Sequence, residues 1–256
     1  LHEGHLSLVK RAKSECEIVV MSIFVNPLQF GPNEDFDRYP RDFARDRRLA
    51  EEAGVDYLFY PEKEEMFPEE PLTHVKVDRV SEPLCGASRP GHFTGVATIV
   101  CKLFHIVMPD RAYFGLKDAQ QVAVIEQMVK DLNFPITIVP CETVREADGL
   151  AKSSRNVYLS AEERKQATIL YQALSEAKEK LSKGVFRNVG EVRQYLSERI
   201  SSMSLAEIDY VDVLTYPALR PPASLQDVPL ILAVAVRFGK ARLIDNMIWE
   251  GSLLQH

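Results

Sequence analysis

RAYFGLKDAQQVAVIEQMVKDLNFPITIVP, residues 111–140, reads as strand, helix, strand. RAYFG and FPITIVP are short, rich in aromatic and β-branched residues, and marked by Gly and Pro. DAQQVAVIEQMVKDLN between them has the helical period. It opens with Asp118 and carries Gln121 three residues later, as an N-cap and its N3 partner do. A helix joining two strands is a crossover connection, so the strands run parallel. The same alternation extends upstream. EIVVMSIFV (17–25) is almost wholly apolar, as expected of a strand covered on both faces, and VDYLFY (55–60) reads as another. RDFARDRRLAEEAG (41–54) is a helix ending at a Gly54 C-cap, and GVATIVCKLFHIVM (95–108) is helical and apolar nearly all round. Repeated βαβ units predict an α/β, Rossmann-like domain over residues 1–150, a doubly wound parallel sheet with ligands beyond the strand carboxyl ends.

After residue 150 the rhythm changes. SAEERKQATILYQALSEAKEKLSKG (160–184) reads as one long capped helix and NVGEVRQYLSERISS (188–202) as a second. IDYVDVLTY, PLILAVAVRF and ARLIDNMIW then follow as strands, with a Pro-rich connection at 217–229. This predicts a smaller α+β domain over residues 151–256.

Composition excludes several classes. Of 256 residues, 46% are hydrophobic and 27% charged, a globular balance rather than a collagen-like or disordered one. PLILAVAVRF is strand-length, well short of the roughly 18 apolar residues that span a bilayer. Lys and Arg total 31 against 37 Asp and Glu, for a net charge of −6, which argues against a protein that coats nucleic acid but leaves room for a local cationic pocket. Cys16, Cys85, Cys101 and Cys141 lie far apart with no CxxC pair, which fits reduced thiols in a cytoplasmic protein. The opening LHEGHLSLVKRA has no apolar signal core, so export is not expected.

Five polar stretches could carry chemistry. In HEGH, His2 and His5 stand three apart at the start of a helix, on one face. There, unpaired backbone N–H groups attract anions, and Gly4 lets a ligand approach. On spacing alone, two solvated histidines at a terminus are the commoner reading, since an HxxH pair arises readily by chance. ADGLAKSSRN (147–156) joins Lys152, Ser153, Ser154 and Arg155 in a loop able either to close over polyphosphate or to serve as a linker. Gly115 and Lys117 lie where a strand gives way to a helix, the place an α/β sheet offers to nucleotides. FVNPLQFG (24–31) leaves its strand through a turn carrying Gln29, and CGASRPGHFTGV (85–96) places Arg89 and His92 in a Pro-Gly turn, where they bind an anion or decorate the surface.

Taken jointly, HEGH, NPLQF, RPGHFTG, FGLKDAQQ and ADGLAKSSRN resemble, in order and spacing, the pantoate-β-alanine ligase family of the HIGH-type nucleotidyltransferase group. The likeness runs from residue 1 to the RLIDN segment (242–246). It implies an ATP-dependent enzyme that joins pantoate to β-alanine through a pantoyl adenylate, with Mg2+ held mainly by the ATP phosphates. It also implies a cytoplasmic homodimer with no nucleic-acid or membrane partner. Carried over by position, Leu1, His2, Glu3, Gly4 and His5 meet ATP, with His5 as proton donor. Gly115, Leu116, Lys117 and Asp118 match the nucleotide turn, and Val144 a backbone contact. Lys152, Ser153, Ser154 and Arg155 match the phosphate-gripping loop that opens the C-terminal lid domain. His2, His5, Lys117, Ser153, Ser154 and Arg155 are the implied catalytic set. Gln29 and Gln121 match the pantoate amides, and Gln29 adjoins the β-alanine site. The family pattern has a strand and a Pro-Thr-Met-Gly turn before HEGH that these residues lack, so the first domain is expected to be N-terminally incomplete. Leu116 stands where many members have Glu, and Lys152 where many have Met or Leu. A nucleotidyltransferase of the same superfamily and an inactive nucleotide-binding fragment are the alternatives.

Overall fold

A computed structural model of the chain describes residues 1–31 and 36–251. It divides into two units, Leu1–Leu116 with Val124–Val144, and Lys117–Ala123 with Arg145 onward. The change of rhythm in the sequence falls at 150/151, whereas the structural division falls between Val144 and Arg145. The reason is local: residues 145–151 form a small hairpin whose hydrogen bonds run into the second unit.

The first unit opens with α1 (Glu3–Glu15), β1 (Val20–Ser22), a 3-10 turn at Pro27–Gln29, α2 (Phe43–Glu52) and β2 (Tyr57–Phe59). Two single-turn helices, α3 (Lys63–Met66) and α4 (Cys85–Ser88), precede α5 (His92–Val107) and β3 (Arg111–Gly115). A 3-10 turn at Leu116–Asp118, α6 (Ala119–Asp131) and β4 (Thr137–Cys141) complete the α/β part. β1 pairs with β2 in parallel, Val20 opposite Tyr57. β3 pairs with β4 in parallel, Arg111 opposite Thr137 through Gly115 opposite Cys141. Both pairs are βαβ units, as the alternating pattern requires.

EIVVMSIFV departs from expectation. Only Val20–Ser22 enter a ladder, because β2, the partner along that edge, is itself three residues long. Among the described residues no ladder joins β1 to β3, so the parallel strands stand as two pairs. Ile18 is 63% exposed, not covered on both faces. What binds the pairs together is side-chain packing on α1: Val9 and Ala12 cluster with Val19, and Met21 and Tyr113 lie against them. α5 meets its expectation, burying Phe93, Val96, Ala97, Ile99, Val100 and Phe104. Each fully buried aliphatic or aromatic side chain contributes about 1.5–3 kcal/mol, so this helix, with Val124, Ile125 and Met128 of α6, anchors the apolar interior of the unit.

The second unit contains α7 (Ala161–Gln166), α8 (Ile169–Ser182), α9 (Val189–Ser201), β5 (Ala206–Thr215), β6 (Leu230–Phe238) and β7 (Ala241–Trp249). The strands form an antiparallel sheet in the order β5-β6-β7. β6 is central and, apart from Arg237, buried, which is why its sequence is an unbroken apolar run. Leu170, Leu174 and Leu181 of α8 and Val192, Leu196 and Ile200 of α9 pack on it. The single helix expected over 160–184 is two, α7 and α8. Its break falls at Thr168, whose Oγ1 donates to the Lys165 carbonyl at 2.9 Å and competes with the helical ladder.

Candidate active site

The HEGH motif builds the start of α1 from its own imidazoles. His2 is the N-cap, and its Nδ1 accepts from Gly4 N at 3.1 Å. His5 closes a capping box, its Nδ1 accepting from His2 N at 3.2 Å. The ring centres lie 3.8 Å apart. An Nδ1 that accepts carries no proton, so each neutral ring holds its hydrogen on Nε2. The pair is thus oriented by backbone, at the end of a helix where dipole and N–H groups favour anions. The Leu1 carbonyl accepts from Arg45 Nη1 at 3.0 Å, which ties the preceding residue to α2.

Gln29 sits at the end of the Pro27–Gln29 turn, which Asn26 caps by accepting from Leu28 N at 3.2 Å. Asn26 is 2% exposed and donates from Nδ2 to the Gly95 carbonyl at 3.0 Å and to Gln29 Oε1 at 3.2 Å. A Cβ on Gly95 would lie 2.3 Å from the Leu28 carbonyl oxygen, so glycine lets the turn rest on α5. His92 Nδ1 donates to the Gln29 carbonyl at 2.8 Å, and Arg89 Nη2 does so at 3.3 Å. Arg89 Nη1 also donates to His92 Nε2 at 3.1 Å. Arg89 and His92 therefore brace the backbone of Gln29, a role different from the anion contact or surface decoration their turn suggested. The sequence signal was present in the Pro-Gly turn, but not the partner.

The nucleotide-type turn begins at the end of β3. Gly115 and Leu116 close the strand in the first unit, and Lys117 and Asp118 belong to the second, one residue before α6 begins. Lys117 Nζ lies 3.7 Å from Asp118 Oδ2, and the Lys117 carbonyl accepts from Asn246 Nδ2 at 3.0 Å. Gln121 is half-buried in the first turn of α6. Val144 is half-buried three residues beyond the end of β4.

The 147–156 segment is a shaped loop. Arg145 bridges Ala151, and Glu146 N donates to the Leu150 carbonyl at 2.8 Å. Gly149 turns the hairpin at φ +92°, where a Cβ would lie 2.0 Å from Tyr171 Cδ1, so no other residue fits. Arg164 grips Asp148 with two hydrogen bonds, at 2.8 and 3.1 Å, holding that carboxyl below its ordinary range. Ser153 then caps a 3-10 helix at Ser154–Tyr158, accepting from Arg155 N at 3.3 Å. Lys152 Nζ lies 2.8 Å from Glu146 Oε2, which offsets the charge it adds to the loop. Arg145, Asp245 and Asn246 were not singled out in the sequence, although an acid inside an apolar strand is itself a sign of a buried partner.

Parallel βαβ units, a separate antiparallel sheet and braced polar turns define the class of molecule, a mixed α/β enzyme. The chain belongs to the pantoate-beta-alanine ligase family, which it matches over residues 1–248, and is a ligase. It is 60% identical over 250 residues to the pantothenate synthetase of Geobacillus kaustophilus, covering 98% of this chain and 83% of that one. It is 57% identical over 250 residues to the pantothenate synthetase of Caldicellulosiruptor saccharolyticus, covering 98% and 88%. The crystal structure of pantothenate synthetase from Thermus thermophilus matches with a TM-score of 0.92 at 50% identity, over 96% of this chain and 89% of that one. Pantoate-beta-alanine ligase from Francisella tularensis, complexed with beta-gamma ATP and β-alanine, matches with a TM-score of 0.79 at 35% identity, over 97% and 85%.

Proposed function

We propose that this chain condenses pantoate with β-alanine in two steps. A pantoate carboxylate oxygen attacks the α-phosphorus of ATP, giving pantoyl adenylate and expelling pyrophosphate. The β-alanine amine then attacks the acyl carbon, loses a proton and displaces AMP, leaving the amide. Oxide is a hopeless leaving group from a carboxylate, and adenylation replaces it with a stable one. Catalysis of the first step is then mainly positioning and neutralisation of charge.

The observation that carries this reading is the pair of imidazoles at the start of α1, each oriented by a backbone N–H that donates to its Nδ1 and leaves Nε2 directed away from that contact. His2 and His5 are assigned to the ATP phosphates, with His5 donating to the developing charge. Leu1, Glu3, Gly4, Gly115, Leu116, Lys117, Asp118 and Val144 are assigned to the nucleotide. Lys152, Ser153, Ser154 and Arg155 are assigned to the phosphates as a second segment. Gln29 and Gln121 hold pantoate by neutral hydrogen bonds, and Gln29 adjoins β-alanine. The Francisella tularensis relative, bound to an ATP form and β-alanine, supports these two substrates. Mg2+ is proposed to enter with ATP as part of the substrate, where it would be held mainly by the phosphates and would neutralise their charge. Among the described residues, no helix is long and apolar enough to cross a membrane. The proposed setting is a cytoplasmic homodimer, to be checked by light scattering in solution.

The deciding experiment is exchange of labelled pyrophosphate into ATP. The expected result is exchange that requires pantoate and proceeds without β-alanine. Exchange strictly dependent on β-alanine would overturn the stepwise order, and ATP binding without exchange would leave a binding protein.

A further inference from the structure

The strand ARLIDNMIW carries an acid and an amide, Asp245 and Asn246, in an apolar setting, and Asp245 is 2% exposed. A carboxylate so buried is tolerated only when its oxygens are satisfied. Asp245 Oδ2 accepts from Arg145 Nη1 at 2.6 Å, and Oδ1 accepts from Nη2 at 2.9 Å and from Asn246 N at 2.8 Å. Arg145 Nη1 also donates to the Gly149 carbonyl at 3.0 Å, and the guanidinium lies 4.7 Å from the centre of the Tyr171 ring. Asp245 thereby fastens the start of the hairpin that leads into Lys152–Arg155 and, through Arg145, its turn at Gly149. The next residue does the same for a different segment: Asn246 Nδ2 donates to the Lys117 carbonyl at 3.0 Å. Successive residues of a strand point to opposite faces, so β7 holds one segment from each side.

We propose that Asp245 and Asn246 are positioning residues for ATP. Two segments far apart in sequence, 117–118 and 145–155, owe their spacing to the peptide bond between two adjacent residues of β7. An apolar pair would fill the Asp245–Arg145 site with equal or better stability. Only a planar guanidinium held by a carboxylate reaches the Gly149 carbonyl at the same time. The proposal rests on the assignment of both segments to ATP.

The test compares the 256-residue protein with Asn246→Ala and with the double variant Arg145→Met/Asp245→Leu, in pantoate-dependent pyrophosphate exchange and in thermal melting. The expected result is that both variants melt cooperatively and show KM for ATP raised about 10- to 100-fold, as misplacement of a gripping segment produces, with KM for pantoate unchanged. Hydrogen exchange rises at 145–151 in the double variant alone, a change that a purely stabilising pair replaced by apolar residues would not show. A folded double variant with the wild-type KM for ATP overturns the role of Asp245. If that variant fails to fold, Asn246→Ala decides, and a wild-type KM for ATP there overturns the proposal. Wild-type protein without pantoate-dependent exchange defeats the proposed adenylation, and wild-type protein that also fails to bind ATP in calorimetric titration defeats the ATP assignment itself. Exchange in the wild type with unaffected variants defeats only the positioning role.

Discussion

At His2 and His5 the Nδ1 atoms accept backbone hydrogens, whereas at His92 Nδ1 donates to a carbonyl and Nε2 accepts from Arg89. One residue type therefore does two kinds of work, and the neighbours decide which. His5→Ala is expected to slow pantoyl adenylate formation about 100-fold, as loss of a transition-state donor does. The same change removes half of a capping box, so His5→Gln is the sharper variant: Gln at N3 keeps the cap but supplies no imidazole. Stopped-flow measurement of the first half-reaction should find both variants slow and only His5→Ala less stable. His92→Ala is expected to act differently, raising KM for pantoate while leaving the adenylation rate at saturating pantoate near wild type. Equal losses of rate in His5→Gln and His92→Ala would remove the distinction between donor and brace. The imidazole pair was legible in HEGH, but the brace was not, because it joins residues about sixty positions apart through a main-chain carbonyl that no motif advertises.

Elements show where local pattern and context part. Gly95 lies inside α5, where alanine would ordinarily gain about 1 kcal/mol. The contact with Leu28 reverses that sign, since overpacking against backbone costs about 1–3 kcal/mol. Gly95→Ala should therefore lower the urea midpoint and raise KM for pantoate together, by pushing the Gln29 turn off the helix. In the second unit, Glu176 of α8 accepts from Arg199 Nε at 2.8 Å and Nη2 at 2.7 Å, and from Tyr195 Oη at 2.5 Å. The Arg199 hydrogen bonds, then Tyr195, hold its carboxyl at about 2, below the ordinary 4.5. A depressed carboxylate contributes stability that is fully present above its unfolded pKa and is lost as pH falls through the folded one. The window is thus pH 4.5 down to about 2. The pair is 35–39% exposed, so screening limits its worth to about 0.5–1 kcal/mol. Urea unfolding of wild type and Glu176→Gln should differ by that amount near neutrality and converge toward the acid end of the window. A difference independent of pH would assign the effect to packing.

At the scale of the whole chain, two segments proposed for ATP, Lys117–Asp118 and Lys152–Arg155, belong to the second unit, the latter following the hairpin pinned on β7. A saturating non-hydrolysable ATP analogue is expected to slow hydrogen exchange at 117–118 and at 150–156, measured by mass spectrometry. No protection at 150–156 would return that loop to a structural link between helix and hairpin.

The sequence by itself determined what depends on near neighbours. Periodicity placed the βαβ unit at 111–140, the buried α5, the two helical regions after 160 and the run of β6, because hydrophobic period and capping are local properties. The order of HEGH, NPLQF, RPGHFTG and KSSRN was enough to indicate the family. Tertiary structure alone decided the rest. β1 shrank to three paired residues because a ladder is only as long as its partner. The unit boundary moved to 144/145, and residues 117–123 joined the second unit, where Arg145 bonds Asp245 and Lys117 meets Asn246 across more than ninety positions. Such bonds exist only once the chain has closed on itself, since a buried guanidinium or carbonyl takes whichever partner the packed core presents.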